Sequence, residues 1–331
     1  MSQDGGQGRR WGVLDVLRAS LLVLVLAGVG WALWRNWSAV AAELAKVPLG
    51  ALVWAFVATL AAPVFTLLGW RRLLADLGTR LLCAPAAGLF FVGQLGKYLP
   101  GSVWTIVAQA EIGTRLRIPR RRTSAAALIS IGLGVLAGVL VGLPALSPLV
   151  FRTGGGYRWW LLLLVLPAAV LVWPRLLDGV LGWIVRMLRR EPLEHPLTLT
   201  GVLLAVAWMA MAWCAAGVAV LILVWAIDPA APGRQAGQGV PVWLLTICGT
   251  ALASVFGMVS FVVPAGVGVR DGVLAILLAP VLGPAGAAAV VVLARFLTVL
   301  ADVVCAGAGW LWGRRHHLLG GSVPTDLGSG S

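Results

Sequence analysis

Long apolar runs separated by short polar or basic segments dominate this chain. A run of about 20 apolar residues has the length of a helix that crosses the hydrocarbon core of a bilayer. A basic amphipathic stretch at 176–190 is instead typical of a helix that lies in the membrane interface. The runs predict membrane spans at 19–34, 47–70, 124–146, 159–173, 197–227 and 284–312, and we expect about seven transmembrane helices in all.

Two further apolar segments, 85–113 and 241–282, are each broken in the middle by proline and glycine. Proline ends an incoming helix, and glycine permits the chain to reverse. We therefore expect two re-entrant or broken helical hairpins. The residues that form the breaks are Pro100, Gly101, Pro264, Gly266 and Gly268.

The composition excludes a soluble protein. Of the 331 residues 60% are hydrophobic and 11% are charged, whereas soluble domains are about 45–50% apolar and about 25% charged. A soluble fold of this size has no way to bury so much apolar surface. The fold class that we predict is an all-α integral membrane protein.

Domain boundaries follow from the same pattern. Residues 1–14 form a polar N-terminal segment, 15–315 a single polytopic transmembrane domain, and 316–331 a disordered tail rich in glycine and serine. Trp31, Trp34 and Arg35 stand where a signal-peptide cleavage site needs small residues, so the first span is interpreted as an uncleaved anchor.

The net charge of +13 comes from basic residues placed between the apolar runs. This placement is typical of topology signals and of contact with anionic lipid rather than nucleic acid. We expect no metal and no cofactor, because the cysteines and histidines lack the spacing of ligands. They are Cys83, Cys214, Cys248, Cys305, His195, His316 and His317.

The basic residues also predict the topology. If the first hairpin enters from the cytoplasm and the second from the exterior, both termini are cytoplasmic and most arginines lie inside. The two hairpins then have inverted orientations and meet near the bilayer midplane. One alternative stays open, since 241–263 is long enough to cross completely. On the exterior this topology places Arg35, Lys46, Arg152, Arg158 and Arg234.

Ionisable residues at membrane depth are the candidate functional residues of the chain. Each costs at least about 2.5–3.5 kcal/mol if it faces lipid, so we expect these residues to face a shared polar site. The helices that start at the breaks favour anions at their N-termini, and Asp271 is a candidate N-cap of the second one. In the last span, Arg295, Thr298 and Asp302 share one helix face. A purely structural ion-pair network is the alternative. The predicted headgroup-binding residues are Lys97, Tyr98, Ser102, Arg270, Asp271, Arg295 and Asp302.

The segments GKYLPGSVW and VPAGVGVRDGVLAI, together with Arg295, resemble the transmembrane domain of bacterial lysylphosphatidylglycerol synthetase. The resemblance covers roughly 15–315. It implies seven or eight helices with re-entrant elements, and lipid translocation. In this family Glu commonly stands at the position of Asp271. The soluble domain that adds lysine is not found in the sequence, so we expect a stand-alone flippase-like member without synthetase activity.

The function predicted from these features is a lipid flippase. It would move an anionic or amphoteric phospholipid, or a polyprenyl-phosphate-linked lipid, between the leaflets of the bacterial cytoplasmic membrane. An enzyme is not expected, because the chain has no DxD or HExxH motif. The alternatives are an integral membrane transferase acting on a lipid-phosphate substrate, and a partner subunit without activity. Membrane lipids are the expected partners. A second copy of the chain and a cell-envelope enzyme are possible protein partners.

Overall fold

The computed structural model describes residues 34–35, 37–98, 103–146, 197–236, 240–259, 266 and 268–315. Three short 3-10 helices, Leu95–Tyr98, Leu143–Leu146 and Ala231–Gly233, follow longer helices in this part of the chain. The α-helices here are α1 (Trp37–Leu44), α2 (Leu49–Asp76), α3 (Cys83–Gln94), α4 (Trp104–Arg115), α5 (Arg120–Gly142), α6 (Leu199–Ile227), α7 (Val242–Val259) and α8 (Val269–Arg315).

Five of these helices are long and apolar enough to span a membrane: α2, α5, α6, α7 and α8. Their outer faces expose large apolar side chains such as Trp54, Ile276 and Phe296. Such surfaces are stable against lipid and unstable in water. The prediction of an all-α, multi-pass membrane protein is confirmed.

Several sequence predictions lie outside the described residues. They are the spans at 19–34 and 159–173, the interfacial helix at 176–190, and the two terminal segments. The total of about seven transmembrane helices therefore stays a prediction.

Helix α2 is longer than its apolar run predicts. It continues through Pro63 and past Trp70 to Asp76. The last turns contain Arg71, whose Nε donates to the carbonyl of Leu81, and Arg72, which pairs with Asp76 at 3.0 Å. Basic side chains are favourable near a helix C-terminus, so the helix extends beyond the apolar run.

Glycines allow the arms of the first hairpin, α3 and α4, to pack closely. A Cβ on Gly96 would lie 2.6 Å from the backbone nitrogen of Thr105, and a Cβ on Gly93 would overlap the side chain of Gln109. Only glycine permits this separation of the two arms.

The second hairpin, α7 and the first part of α8, turns at two glycines with positive φ. Gly266 has φ +63° and Gly268 has φ +84°. A Cβ on Gly266 would lie 2.8 Å from the Cα of Gly257. Farther along, α8 changes direction at Gly283, where φ is +73° and ψ is 166°. The sequence predicts that one apolar segment ends at Leu282 and that a separate span begins at 284. The structure places the junction between them at Gly283.

The two hairpins open at opposite ends of the bundle. At the first end, Gly88 of α3 contacts Gly309 near the C-terminus of α8, and Asp76 of α2 accepts a 2.6 Å hydrogen bond from Thr198 before α6. At the other end, the beginning of α7 packs with the residues that end α6. The predicted inverted orientation is therefore present in the fold.

Helix α7 ends inside the bundle. A Cβ on Gly138 of α5 would meet Val255, and one on Gly142 would lie 3.0 Å from the Cβ of Leu252. The last residue, Val259, lies one turn beyond Val255, still about 21 Å from the opposite end of α5 at 1.5 Å per residue. For the described residues up to Val259, these contacts favour a re-entrant helix over a complete crossing. These contacts also show that α5 and α7 pack closely at Gly138 and Gly142.

Candidate functional site

A cavity of about 440 Å³ lies where the tips of the two hairpins meet. Helices α2, α5, α6 and the second part of α8 complete its wall. Its volume falls within the range of about 300–1,000 Å³ that is usual for small-molecule sites. The predicted site residues that line it are Lys97, Tyr98, Gly266, Arg270, Arg295 and Asp302.

The first hairpin brings a cation and a phenol to the carboxylate of α8. Lys97 Nζ lies 2.7 Å from Asp302 Oδ2, and Tyr98 donates its hydroxyl proton to the same oxygen at 2.5 Å. Lys97 Nζ also lies 5.4 Å from the centre of the Tyr98 ring. The side chain of Asp302 is 11% exposed and that of Lys97 is 35% exposed. Asp302 thus joins the tip of the first hairpin to the last span.

The second hairpin contributes Arg270, which lies in the first turn of α8. A Cβ on Gly257 of α7 would lie 3.0 Å from the Cβ of Arg270, so the arginine packs directly against the incoming arm. Arg270 interacts electrostatically with Asp271, Asp302 and Arg295. It therefore lies within range of the charged groups that the first hairpin contacts.

Asp271 does not occupy the predicted N-cap position. Helix α8 begins at Val269, which places Asp271 within the first helical turn. Its Oδ2 accepts a hydrogen bond from the backbone N–H of Gly268 at 3.1 Å. This contact satisfies a donor that a helix start leaves free. Asp271 is not among the residues that line the cavity.

Arg295, Thr298 and Asp302 all line the cavity, as their shared helix face predicts. The Thr298 hydroxyl donates to the carbonyl of Ala294 at 2.7 Å. Asp302 pairs with Lys97 of the first hairpin. Among the described residues, the charged side chains that line the cavity are three cations and one carboxylate, so this part of the lining favours an anion.

Ser102, Pro100, Gly101 and Pro264 lie outside the described residues. Their predicted roles at the site and at the breaks stay predictions. Glu111, by contrast, lies near the end of α4, away from the hairpin tip. It forms an exposed ion pair with Arg120 at 2.7 Å.

The match to known families agrees with this architecture. Residues 17–306 match the family described as lysylphosphatidylglycerol synthase TM region. The chain belongs to this family. Membership indicates a lipid-related function in the membrane. No curated protein matches the chain significantly.

In this member of the lysylphosphatidylglycerol synthase TM family, the cavity also has uncharged polar groups that the sequence analysis missed. Gln109 of α4 is 1% exposed and Trp70 of α2 is fully buried. The sequence does contain a signal for Gln109, because this amide follows the apolar residues 106–108 in the first half of α4. The polar residues involved are Thr59, Thr66, Trp70, Gln94, Thr105, Gln109, Ser130, Trp213 and Ser254.

A large part of the cavity wall in this family member is apolar. Phe90, Phe91, Met209 and Met258 lie in the same lining as the charged groups. Phe90 also contacts the ring of Trp70, with centroids 5.5 Å apart. A chamber with a charged region and an apolar region suits an amphiphile, whose headgroup and acyl chains need different surroundings.

Proposed function

We propose that this protein moves an anionic or amphoteric phospholipid, or a polyprenyl-phosphate-linked lipid, between the leaflets of a bacterial cytoplasmic membrane. The observation that carries the proposal is the single cavity at the tips of two oppositely oriented hairpins. Both hairpins contribute a cation to it, Lys97 and Arg270. A lipid headgroup in this position would be half-way between the leaflets.

The charges of the cavity support a phosphate ligand. Arginine binds phosphate through two parallel N–H groups, and lysine binds it as a point charge. In the structure Asp302 accepts from both Lys97 and Tyr98. An incoming phosphate competes with this carboxylate for Lys97, so we propose that headgroup binding separates the first hairpin from α8.

That separation provides a route for alternating access. The hairpins open toward opposite ends of the bundle, and inverted repeats commonly expose a central site to one side at a time. We propose that the end where α3 begins faces the cytoplasm, together with both termini. The arginines near the end of α2, and those from the end of α4 to the start of α5, support this orientation through the positive-inside rule.

Reconstitution into liposomes tests the proposal. Vesicles made with fluorescent phosphatidylglycerol report translocation as the fraction of probe that an external reductant reaches. We expect the initial rate to fall at least about tenfold in Lys97→Gln and in Arg270→Gln, since a close charge contact contributes more than about 1.4 kcal/mol at intermediate dielectric.

The matched control is the exposed ion pair between Glu111 of α4 and Arg120 of α5. Arg120→Gln removes one positive charge from a side chain that is 66% exposed and far from the cavity lining, and it should leave the rate unchanged. Equal rates for all variants and the wild type would refute the site assignment. Mass spectrometry of the recovered lipid addresses the alternative transferase, because covalent change would favour that activity over transport.

A further inference from the structure

The carboxylate of Asp302 has two oxygens in different surroundings. Lys97 and Tyr98 both donate to Oδ2, at 2.7 Å and 2.5 Å. From the described residues, no hydrogen bond reaches the second oxygen, Oδ1. Asp302 lines the cavity, and its side chain is nearly buried. The first hairpin thus holds one oxygen of the carboxylate, and the other oxygen is the atom that can receive a proton.

The ionisable groups around Asp302 come from the first hairpin and from α8 itself. Those that line the cavity with it are Lys97, Tyr98, Arg270, Arg295 and Cys305. Arg270 and Cys305 both interact electrostatically with Asp302. The lining residues from the other described helices carry no ionisable side chain. The charge state of Asp302 therefore depends on the tip of the first hairpin and on the cations of α8.

An anionic headgroup and the Asp302 carboxylate are attracted to the same cations. When a phosphate takes Lys97, the carboxylate loses this ion-pair partner and lies beside a second anion. The wall of the chamber is in large part apolar. A neighbouring negative charge and an apolar environment both favour the neutral form of a carboxylic acid. Once protonated at Oδ1, the group still accepts the hydrogen bond of Tyr98 at Oδ2.

We infer that Asp302 carries a proton during transport, so that one proton crosses the membrane with each anionic headgroup. The inference rests on the proposed function, because the phosphate is what draws Lys97 away from the carboxylate. The proton comes from water on the side to which the chamber is open, and it adds to Oδ1. It returns to water on the other side when the headgroup leaves and Lys97 pairs with Asp302 again. No covalent bond of the lipid changes in this cycle.

The co-transported proton determines which gradient drives the lipid. A headgroup with one negative charge and one proton cross together as a neutral pair, so the membrane potential does no work on them. A pH gradient does act on the pair, because the proton moves from the acidic to the alkaline side. When the exterior is the acidic side, the anionic lipid is therefore driven toward the cytoplasmic leaflet.

Binding at two pH values tests whether proton and lipid stabilise each other. Phosphatidylglycerol is the probe, since its phosphodiester keeps one negative charge throughout the range. We expect its affinity for the full-length protein in nanodiscs to rise about tenfold from about pH 8 to about pH 5, the size of a close charge contact at intermediate dielectric. Asp302→Asn should bind tightly at both pH values, because an amide takes up no proton there. Asp302→Glu should keep the pH dependence.

Translocation in proteoliposomes provides an independent measurement. In the wild type, a gradient of about one pH unit should hold fluorescent phosphatidylglycerol at about tenfold excess in the leaflet on the alkaline side, as one proton per lipid requires. A potential set with potassium and valinomycin should have no effect. Asp302→Asn should show the reverse response, to the potential and not to the pH gradient, because its headgroup crosses as an anion alone.

Glu111→Gln is the matched control. Glu111 forms an ion pair of the same length, 2.7 Å, but on the exposed surface, so this variant should keep the wild-type response to pH. Equal wild-type affinity at both pH values would overturn the proton-carrying role, and so would a pH dependence that persists in Asp302→Asn. If translocation depends on Lys97 and Arg270 but follows the potential alone, the proposed function stands without proton coupling. Phosphatidylglycerol that is neither bound nor moved at either pH would refute both proposals.

Discussion

At the scale of single residues, Asp302 is the group on which the charged part of the site depends. It is nearly buried, and it accepts from Lys97 and Tyr98 at the same oxygen. Removing one partner of a buried pair usually costs more than the pair contributes, because the other charge is left uncompensated. In an anion-binding cavity, however, an uncompensated Lys97 gains a ligand. Under the proposed function, the carboxylate would therefore compete with the headgroup for Lys97.

We predict that Asp302→Asn raises the affinity for an anionic lipid. The change frees Lys97 and keeps an oxygen that accepts from Tyr98, so phosphatidylglycerol should bind about tenfold more tightly, an order of magnitude taken from a close charge contact at intermediate dielectric. Titration of the purified protein in nanodiscs measures the effect.

Asp228→Asn controls for the change in net charge. Asp228 pairs with Arg234 in the turn after α6, outside the cavity lining, and its replacement should leave the affinity unchanged. The competitor role of Asp302 would be contradicted by an unchanged or weaker affinity of the Asp302→Asn variant.

The charged residues of the site could be predicted from the sequence, whereas the buried neutral polar groups around it could not. A charge in an apolar run is costly wherever it faces lipid, so Lys97, Arg270 and Asp302 stand out without a structure. Trp70 and Ser130 are ordinary residues in membrane helices. Only the arrangement of α2, α4 and α5 shows that their polar atoms are buried without partners.

At the scale of helices, the breaks were predictable because proline and glycine act locally. The chain reverses at Gly266 and Gly268 with positive φ, as the residue types require. Boundaries set by long-range contacts were predicted less well. The end of α2 depends on the hydrogen bond from Arg71 to the carbonyl of Leu81. Helix α8 begins at Val269, before Asp271, so Asp271 lies in the first turn and not at the N-cap. Neither contact is visible in a hydropathy pattern.

Packing of α5 against α7 gives a prediction at this scale. A Cβ on Gly138 would lie 2.5 Å from Val255 Cγ2 and 3.0 Å from Trp213 Nε1. Gly138→Ala should therefore force the second hairpin away from α5 and lower the stability by about 1–3 kcal/mol, the usual cost of overpacking. Thermal unfolding of the detergent-solubilised protein provides the measurement.

Gly132→Ala is the matched variant in the same helix. No atom lies within 4 Å of a Cβ built on Gly132, and alanine stabilises a helix interior relative to glycine by about 0.5–1 kcal/mol. The midpoint temperature of thermal unfolding of this variant should stay the same or rise. If both variants melt alike, the close approach of α5 and α7 does not contribute to stability as described.

At the scale of the whole molecule, the fold places the charged tips of two hairpins in one chamber. The buried apolar side chains form separate clusters toward the two ends. One cluster surrounds Trp70 and Phe90, and another surrounds Leu223 and Leu278. The cavity is lined by residues of both hairpins. Under the proposed function, this arrangement would let a headgroup exchange sides without contact between its charge and the acyl chains of the bilayer.

The proposed orientation of this architecture is testable by cysteine labelling in sealed vesicles. Glu111→Cys marks the end at which the first hairpin opens, and Arg234→Cys marks the turn at the opposite end; both side chains are exposed. With Cys83 replaced by serine, a membrane-impermeant maleimide should label position 111 only in inside-out vesicles and position 234 only in right-side-out vesicles. Labelling of both positions from one side would contradict the inverted topology.

The same vesicles measure the depth of the hairpin tips. Cysteines at positions 97 and 270 should react slowly and at similar rates, because both side chains line the interior cavity. If position 97 reacted rapidly from one side and position 270 from the other, the two cations would not share a chamber. A single headgroup could then not contact both, and translocation through this cavity would lose its physical basis.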